Sequence, residues 1–281
     1  MDKIKINVLH TGRVCVSPDL PFGGENCSAV KASGIFTKKK DRLWLPVSAY
    51  LIEHPKGKIL VDCGWHRNMS PNGTFDKSAQ IKSLGSRLLY LVNQGELEKG
   101  AAVDEQLKKL GLKPSDLDYV LLTHLDCDHA NGLELVKDAK KILVAADEVK
   151  CAKKHSAVRY QKKWWKDVAL TEFEWNDNKG PVNKSYDLFG DGSIELINIP
   201  GHADGLFAVK IKNEAGKYVL LFSDGGYAEK SWKKMITSGI SLDKVNQKKS
   251  LQWIREQSMD ENCLESLANH DPNVIPHVIL L

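Results

Sequence analysis

Thr123-His124-Leu125-Asp126-Cys127-Asp128-His129-Ala130-Asn131-Gly132 follows directly on the apolar run DYVLLT at 118–123. A continuous apolar run of that length is what a strand buried on both faces requires. Past its end, four side chains able to ligate metal fall within six residues: His124, Asp126, Asp128 and His129. On an extended chain His124 and Asp126 are two apart and point the same way. Asp128 and His129 are adjacent and diverge, so the spacing supplies two half-sites, one per metal. Four ionisable groups this close would repel and desolvate one another without a cation. Imidazole and carboxylate ligands suit zinc, manganese or iron. The bland alternative is a polar loop capping a helix. Ala130-Asn131-Gly132 predicts a turn into a short helix beginning near Gly132.

Upstream, 4–10 alternates as a strand. The β-rich runs 44–53 and 58–62 flank Pro55-Lys56-Gly57, which predicts a hairpin. A loop is expected over 68–73 and mixed helical spacing over 77–98. Residues 103–110 carry apolar side chains at helical spacing, stopped by Gly111. Downstream, strands are predicted at 141–145, 194–198, 206–211, 218–222 and 274–280, and helices at 147–154 and 245–257. Segment 155–185 is the least regular. Strands and helices alternate throughout, so the fold class is α/β or mixed α+β. The organisation expected is one domain over 1–281, with two similar halves, 1–145 and 186–281, about the irregular segment 146–185.

Three further motifs stand where a predicted strand ends or a turn falls. Ile199-Pro200-Gly201-His202 places a histidine on a tight turn. Ser223-Asp224-Gly225-Gly226-Tyr227 places an acid among glycines that let backbone approach a ligand. Asn269-His270-Asp271-Pro272 adds a late histidine. Each alone is weak, since a lone turn histidine is more often a surface or capping residue.

The order HxDxDH, then GH, then D, then H resembles the metallo-β-lactamase superfamily, whose usual first motif is HxHxDH. Val61-Asp62-Cys63-Gly64 resembles the VDxG strand end of that fold. Leu45-Pro46-Val47 with Tyr50-Leu51-Ile52, and Asp224 followed by Tyr227, are similar to the N-acyl-homoserine lactonase branch. The resemblance runs from about residue 5 onward. It implies an αβ/βα sandwich of two facing sheets with outer helices, and two divalent metals at one edge. Matched position by position, His124, Asp126 and His202 would hold the first metal. Asp128, His129 and His270 would hold the second, with Asp224 bridging and Asp62 orienting the ligand loop. Tyr227 would hydrogen-bond the substrate carbonyl, and Asp128 would assist the leaving alkoxide. The implied activity is hydrolysis of a lactone or other acyl ester by a hydroxide held between the metals. Phosphodiester or thioester cleavage at the same site, and a di-iron redox or non-catalytic metal-binding role, are the alternatives.

Asp126 departs from the family pattern, which has histidine there. The carboxylate adds a negative charge and makes the first site harder, which favours iron or manganese relative to the family norm, while zinc is still expected first. A glutamate at this place is a feature of the flavodiiron branch, which carries a flavodoxin-like domain for which this chain has no room.

Composition agrees with a globular enzyme. The 281 residues are 42% apolar and 27% charged, which excludes a disordered or collagen-like chain. A folded surface of roughly 12,000 Å² against about 45,000 Å² unfolded leaves a core that needs no disulfide staples. A net charge of +4 is too mild to point to nucleic acid. Lysine pairs such as Lys162-Lys163 read as solvated faces. No apolar run approaches a membrane span. The N-terminus lacks a signal-peptide core, so a cytoplasmic location is expected. The six cysteines form no CxxC pair and read as free buried thiols. The partner expected is a small-molecule lactone or ester, and a homodimer is left open. Trp164, Trp165 and Trp175 either line an acyl groove or pack in the core or a dimer contact.

Overall fold

The computed structural model describes residues 3–156 and 158–281. The first sheet is built from β1 (Lys5–Val16), β2 (Leu43–His54), β3 (Gly57–Val61), β4 (Gln94–Glu96), β5 (Tyr119–Leu122), β6 (Lys141–Ala145) and β7 (Leu170–Phe173). The second is built from β8 (Ser185–Asp187), β9 (Ile194–Asn198), β10 (Phe207–Lys212), β11 (Tyr218–Ser223) and β12 (Cys263–Ala268). The last strand, β13 (Val278–Leu280), crosses back to the first sheet and pairs with β1. The strand orders are β13-β1-β2-β3-β5-β6-β7, with β4 also on β1, and β12-β11-β10-β9-β8. The helices are α1 (Asp19–Phe22), α2 (Ala29–Ser33), α3 (Lys77–Leu84), α4 (Arg87–Val92), α5 (Val103–Lys109), α6 (Cys127–Ala130), α7 (Ala146–Lys154), α8 (Glu229–Lys234) and α9 (Lys244–Ser258).

The layers follow from period-2 patterning. Leu121 of β5 joins Ile6, Ile52 and Val61 in a core shared with Leu196, Phe207, Val209 and Leu221 of the second sheet. Its neighbours Val120 and Leu122 face the opposite way, into a cluster with Leu84 of α3 and Leu107 of α5. On the far side, Ala208, Leu220 and Phe222 are buried with Trp232 of α8 and Leu251 and Ile254 of α9. The arrangement is the expected αβ/βα sandwich, and β5 is buried on both faces.

This topology puts the chemistry at one edge. β3 and β5 run parallel, as do β11 and β12. The carboxyl ends of these strands open onto Asp62, His124, Asp224 and His270. The hairpin of β2 and β3 closes through Pro55-Lys56, with His54 opposite Gly57. The α9 helix begins where Asp243 accepts a hydrogen bond from the Asn246 N–H at 2.9 Å, a side-chain N-cap.

Several expectations are corrected. The helix after β5 begins at Cys127 rather than near Gly132, so Asp128 and His129 are already helical and a 3-10 turn over Asn131–Val136 follows. The strand expected over 274–280 shrinks to Val278–Leu280, because Pro276 has no N–H to give to a ladder. The irregular 155–185 segment carries β7 and runs into β8 at its last residue, and β12, α1, α2 and α8 arise where no element was predicted. All six cysteines are free, but Cys263 is only half-buried. Among the described residues no helix is long and apolar enough to cross a membrane.

Candidate metal centre

Asp62 stands immediately after β3 with a φ of +59°, and Ser223 ends β11 with a φ of +45°. Left-handed backbone is costly for residues other than glycine and persists where the surroundings demand it. Both residues lie beside the candidate ligands and bind the same hydroxyl. Asp62 Oδ1 accepts from the Thr123 N–H at 2.9 Å, and the Thr123 hydroxyl reaches Asp62 Oδ2 at 2.9 Å and Ser223 Oγ at 2.8 Å. Strand ends from both sheets are thereby tied together below the site.

The structure brings all seven candidate ligands together, six of them buried and Asp126 half-buried. His124 Nε2 lies 3.5 Å from Asp126 Oδ2, which lies 2.8 Å from His202 Nε2. On the other side, His270 Nε2 lies 3.5 Å from Asp128 Oδ2, and His129 Nε2 lies 4.0 Å from Asp128 Oδ1. Asp224 divides its carboxylate between these groups. Its Oδ2 is 3.6 Å from His202 Nε2 and 4.0 Å from His124 Nε2. Its Oδ1 is 3.1 Å from His270 Nε2 and 3.3 Å from His129 Nε2.

The histidines are oriented from behind. His129 Nδ1 pairs with Asp62 Oδ2 at 2.8 Å, and His270 Nδ1 donates to the Pro46 carbonyl at 2.8 Å. Their Nε2 atoms, and that of His124, are buried without a hydrogen-bond partner, as is Asp224 Oδ1. Buried polar atoms without partners are rare because each forfeits its hydration. Here they converge, and a divalent cation on each side would satisfy them. The donor set of four imidazoles and three carboxylates fits such a group.

The electrostatics of the cluster's own groups follow the same division. Burial opposes the charged form of Asp126, yet Arg159, then His124 and His202, hold its carboxyl well below the usual carboxylate range. Burial likewise opposes the charge on Asp224, but His270 and His129 pull its carboxyl well down. Burial would lower His129; the Asp62 and Asp224 carboxylates outweigh it and raise the ring. Tyr227 is buried with its ring stacked on His270 at 5.2 Å between centroids. Burial first, then the carboxylates of Asp224, Asp128 and Asp126, push its phenol well above the ordinary value, so it stays protonated.

Two residues invisible to motif reading complete the site. Arg159 grips Asp126 with two prongs: Nε donates to Oδ1 at 2.6 Å and Nη2 to Oδ2 at 2.7 Å. The extra negative charge expected from Asp126 is therefore offset by a guanidinium 33 residues further on. Glu148, on the buried face of α7, accepts from the Leu125 N–H at 3.0 Å and the Gly205 N–H at 3.2 Å. It clamps the His124–His129 segment to the loop bearing His202. Gly205 is required there, since a Cβ would meet the Glu148 nitrogen at 2.2 Å. Neither residue carried a local signal. Arg159 sits in a basic irregular stretch, and a glutamate on a short helix ordinarily faces water.

The tryptophans are structural. Trp164 is buried in the first-sheet cluster and donates to the Ser83 carbonyl at 3.1 Å, with Trp165 packed on the same cluster. Trp175 packs against the inter-sheet core and donates to Asp147 Oδ2 at 2.9 Å.

Comparison with known proteins agrees with this geometry. The sequence model of the metallo-beta-lactamase superfamily matches residues 42–221. The N-acyl homoserine lactonase AttM of Rhizobium radiobacter is 26% identical over 238 residues, 82% of this chain and 83% of that protein. An N-acyl homoserine lactonase of Bacillus cereus is 28% identical over 193 residues, 67% of each. A solved N-acyl homoserine lactone hydrolase, with the product N-hexanoyl-L-homoserine at its catalytic metal centre, superposes with a TM-score of 0.73 at 20% identity, covering 97% of this chain and 95% of that one. AidC, a dizinc quorum-quenching lactonase, gives 0.62 at 13% identity, covering 97% and 90%. A family model matching well over half its length establishes that this chain belongs to the metallo-β-lactamase superfamily.

Proposed function

We propose that this protein is a binuclear metal-dependent hydrolase that opens lactones or cleaves related acyl esters, as the N-acyl homoserine lactonases it is similar to do. His124, Asp126 and His202 would hold the first cation, and Asp128, His129 and His270 the second, with Asp224 placed to serve both. Zinc is the metal this reading favours, because four imidazoles dominate the donor set, Arg159 offsets Asp126, and a structural relative is dizinc. The chemistry such a pair of divalent cations would supply is a nucleophile available near neutral pH and polarisation of the attacked carbonyl.

The protein's own groups do the remainder. Tyr227, whose ring stacks on His270, would donate its phenol hydrogen bond to the carbonyl oxygen as negative charge develops on it. Asp128 would take the proton of the hydroxyl that has added to the carbonyl carbon and pass it to the departing alkoxide. Asp62, the Pro46 carbonyl and Thr123 fix the ring orientations beforehand, so no reorganisation is needed during the reaction.

The observation that carries this reading is the split of Asp224, one oxygen toward each histidine pair. The test is hydrolysis of N-hexanoyl-homoserine lactone by protein stripped with chelator and then reloaded with zinc. Bis-p-nitrophenyl phosphate and an acyl thioester serve as competing substrates. Activity should vanish on stripping and return on reloading, with the lactone preferred. Tyr227→Phe should keep both metals and lose about 100–1,000-fold in kcat. Preference for the phosphodiester would move the assignment to the phosphodiesterase alternative. Iron with visible absorbance and no hydrolysis would move it to redox chemistry.

A further inference from the structure

Asp126 carries a full negative charge at the position where the superfamily usually has a neutral imidazole. Its partner is not a lysine reaching in from the surface. Arg159 applies the planar fork of its guanidinium, Nε to Oδ1 at 2.6 Å and Nη2 to Oδ2 at 2.7 Å. That fork matches a carboxylate in both charge and geometry. Both side chains are largely buried, at 18% and 15% exposure. The third donor, Nη1, binds the His202 carbonyl at 2.8 Å. One guanidinium therefore holds a candidate ligand from the first sheet and the backbone of one from the second. Arg159 is in turn seated over the Tyr160 ring at 5.1 Å, and the Tyr160 hydroxyl meets Cys151 Sγ of α7 at 3.6 Å. A carboxylate offers about four acceptor positions, so two prongs leave others free on the side facing His124 and His202.

We propose that Asp126 and Arg159 act together as one neutral ligand unit, equal in charge to the imidazole they replace. Arg159 is the positioning residue of the unit. It cancels the carboxylate charge, fixes the orientation of both oxygens and ties them to the His202 loop. The first half-site thereby keeps the net charge and the zinc preference of a site built with histidine. The inference rests on the two-cation reading above and goes beyond it in assigning the metal preference to a residue outside the ligand motif.

The test is calorimetric titration of chelator-stripped protein with zinc and with manganese, on wild type, Asp126→His, Arg159→Gln and the double variant. Asp126→His keeps a ligating atom but strands a buried cation beside the metal. First-site zinc affinity should fall about 100-fold. Adding Arg159→Gln removes that cation and should restore at least about tenfold of the loss, a coupling that two independent sites would not give. Arg159→Gln alone leaves the carboxylate charge uncancelled, so the zinc-over-manganese preference should fall about tenfold. Additive losses in the cycle, or an unchanged metal preference in Arg159→Gln, would overturn the proposal. If Asp126→His does not fold, as judged by circular dichroism, the near-isosteric Asp126→Asn takes its place in the same cycle with the same expectations. Wild type that binds two equivalents while the cycle is additive sinks only this inference. Wild type that binds none sinks the two-cation reading as well.

Discussion

In the second half-site His129 and His270 are each held through Nδ1, by the Asp62 carboxylate and by the Pro46 carbonyl. In the first, the carboxylate of Asp126 is held by the Arg159 guanidinium and the His202 ring. The second half-site is thus oriented by acceptors, which strengthen imidazole as a ligand. The first is oriented by a cation, which moderates a ligand that would otherwise be too negative. The two halves use opposite charges from behind to present comparable donor sets in front. The charge of a metal site is therefore not readable from its ligand motif alone; it depends on what stands one residue further out.

The sharpest way to break this comparison is to disable one support and ask whether the other half-site notices. Asp62→Asn is the largest expected effect. Asparagine tolerates the left-handed backbone at 62, so the change isolates hydrogen bonding from strain. Its amide would point donors at His129, Thr123 or Asn269, all of which now donate to Asp62. Urea unfolding of the metal-free protein should show a loss of about 2–4 kcal/mol. Second-site affinity should fall about 10–100-fold while the first site changes little. Equal weakening of both sites would show that the supports are not separate.

Glu148→Gln is the smallest effect and concerns the first half-site, whose two loops Glu148 joins. Burial pushes the Glu148 carboxyl up to about 7 from its ordinary 4.5. A carboxyl raised on folding contributes stability that is fully present below the unfolded value and is lost as pH rises through the folded one. Wild type should therefore lose about 2 kcal/mol more than the glutamine variant between pH 5 and pH 8, measured by urea unfolding of metal-free protein. Parallel pH profiles would remove Glu148 from the account.

How much of this was legible in the sequence depends on how local the signal is. His124, Asp126, Asp128 and His129 were legible because four ionisable side chains in six residues repel and desolvate one another without a cation. β5 was legible because burial on both faces leaves an unbroken apolar run. The edge strand β12, CLESLA, has too few buried positions to show a period, and only Leu267 and Ala268 are fully buried. The start of α6 at Cys127 was hidden because a helix of one turn has no room for periodicity. Arg159 and Glu148 were hidden for a different reason. Their partners lie 33 and 23 residues away in sequence, and only the packing of α7 and the segment after it brings them to the site.

The proposed binuclear centre requires Asp224 to serve two cations at once. The direct measurement is elemental analysis of wild type and Asp224→Ala, each stripped, reloaded with zinc and freed of excess metal. Wild type should retain two equivalents. Asp224→Ala, folded by circular dichroism, should retain less than one and show no lactone hydrolysis. A folded Asp224→Ala that keeps both equivalents and its turnover would contradict the shared carboxylate, and with it the binuclear centre described above.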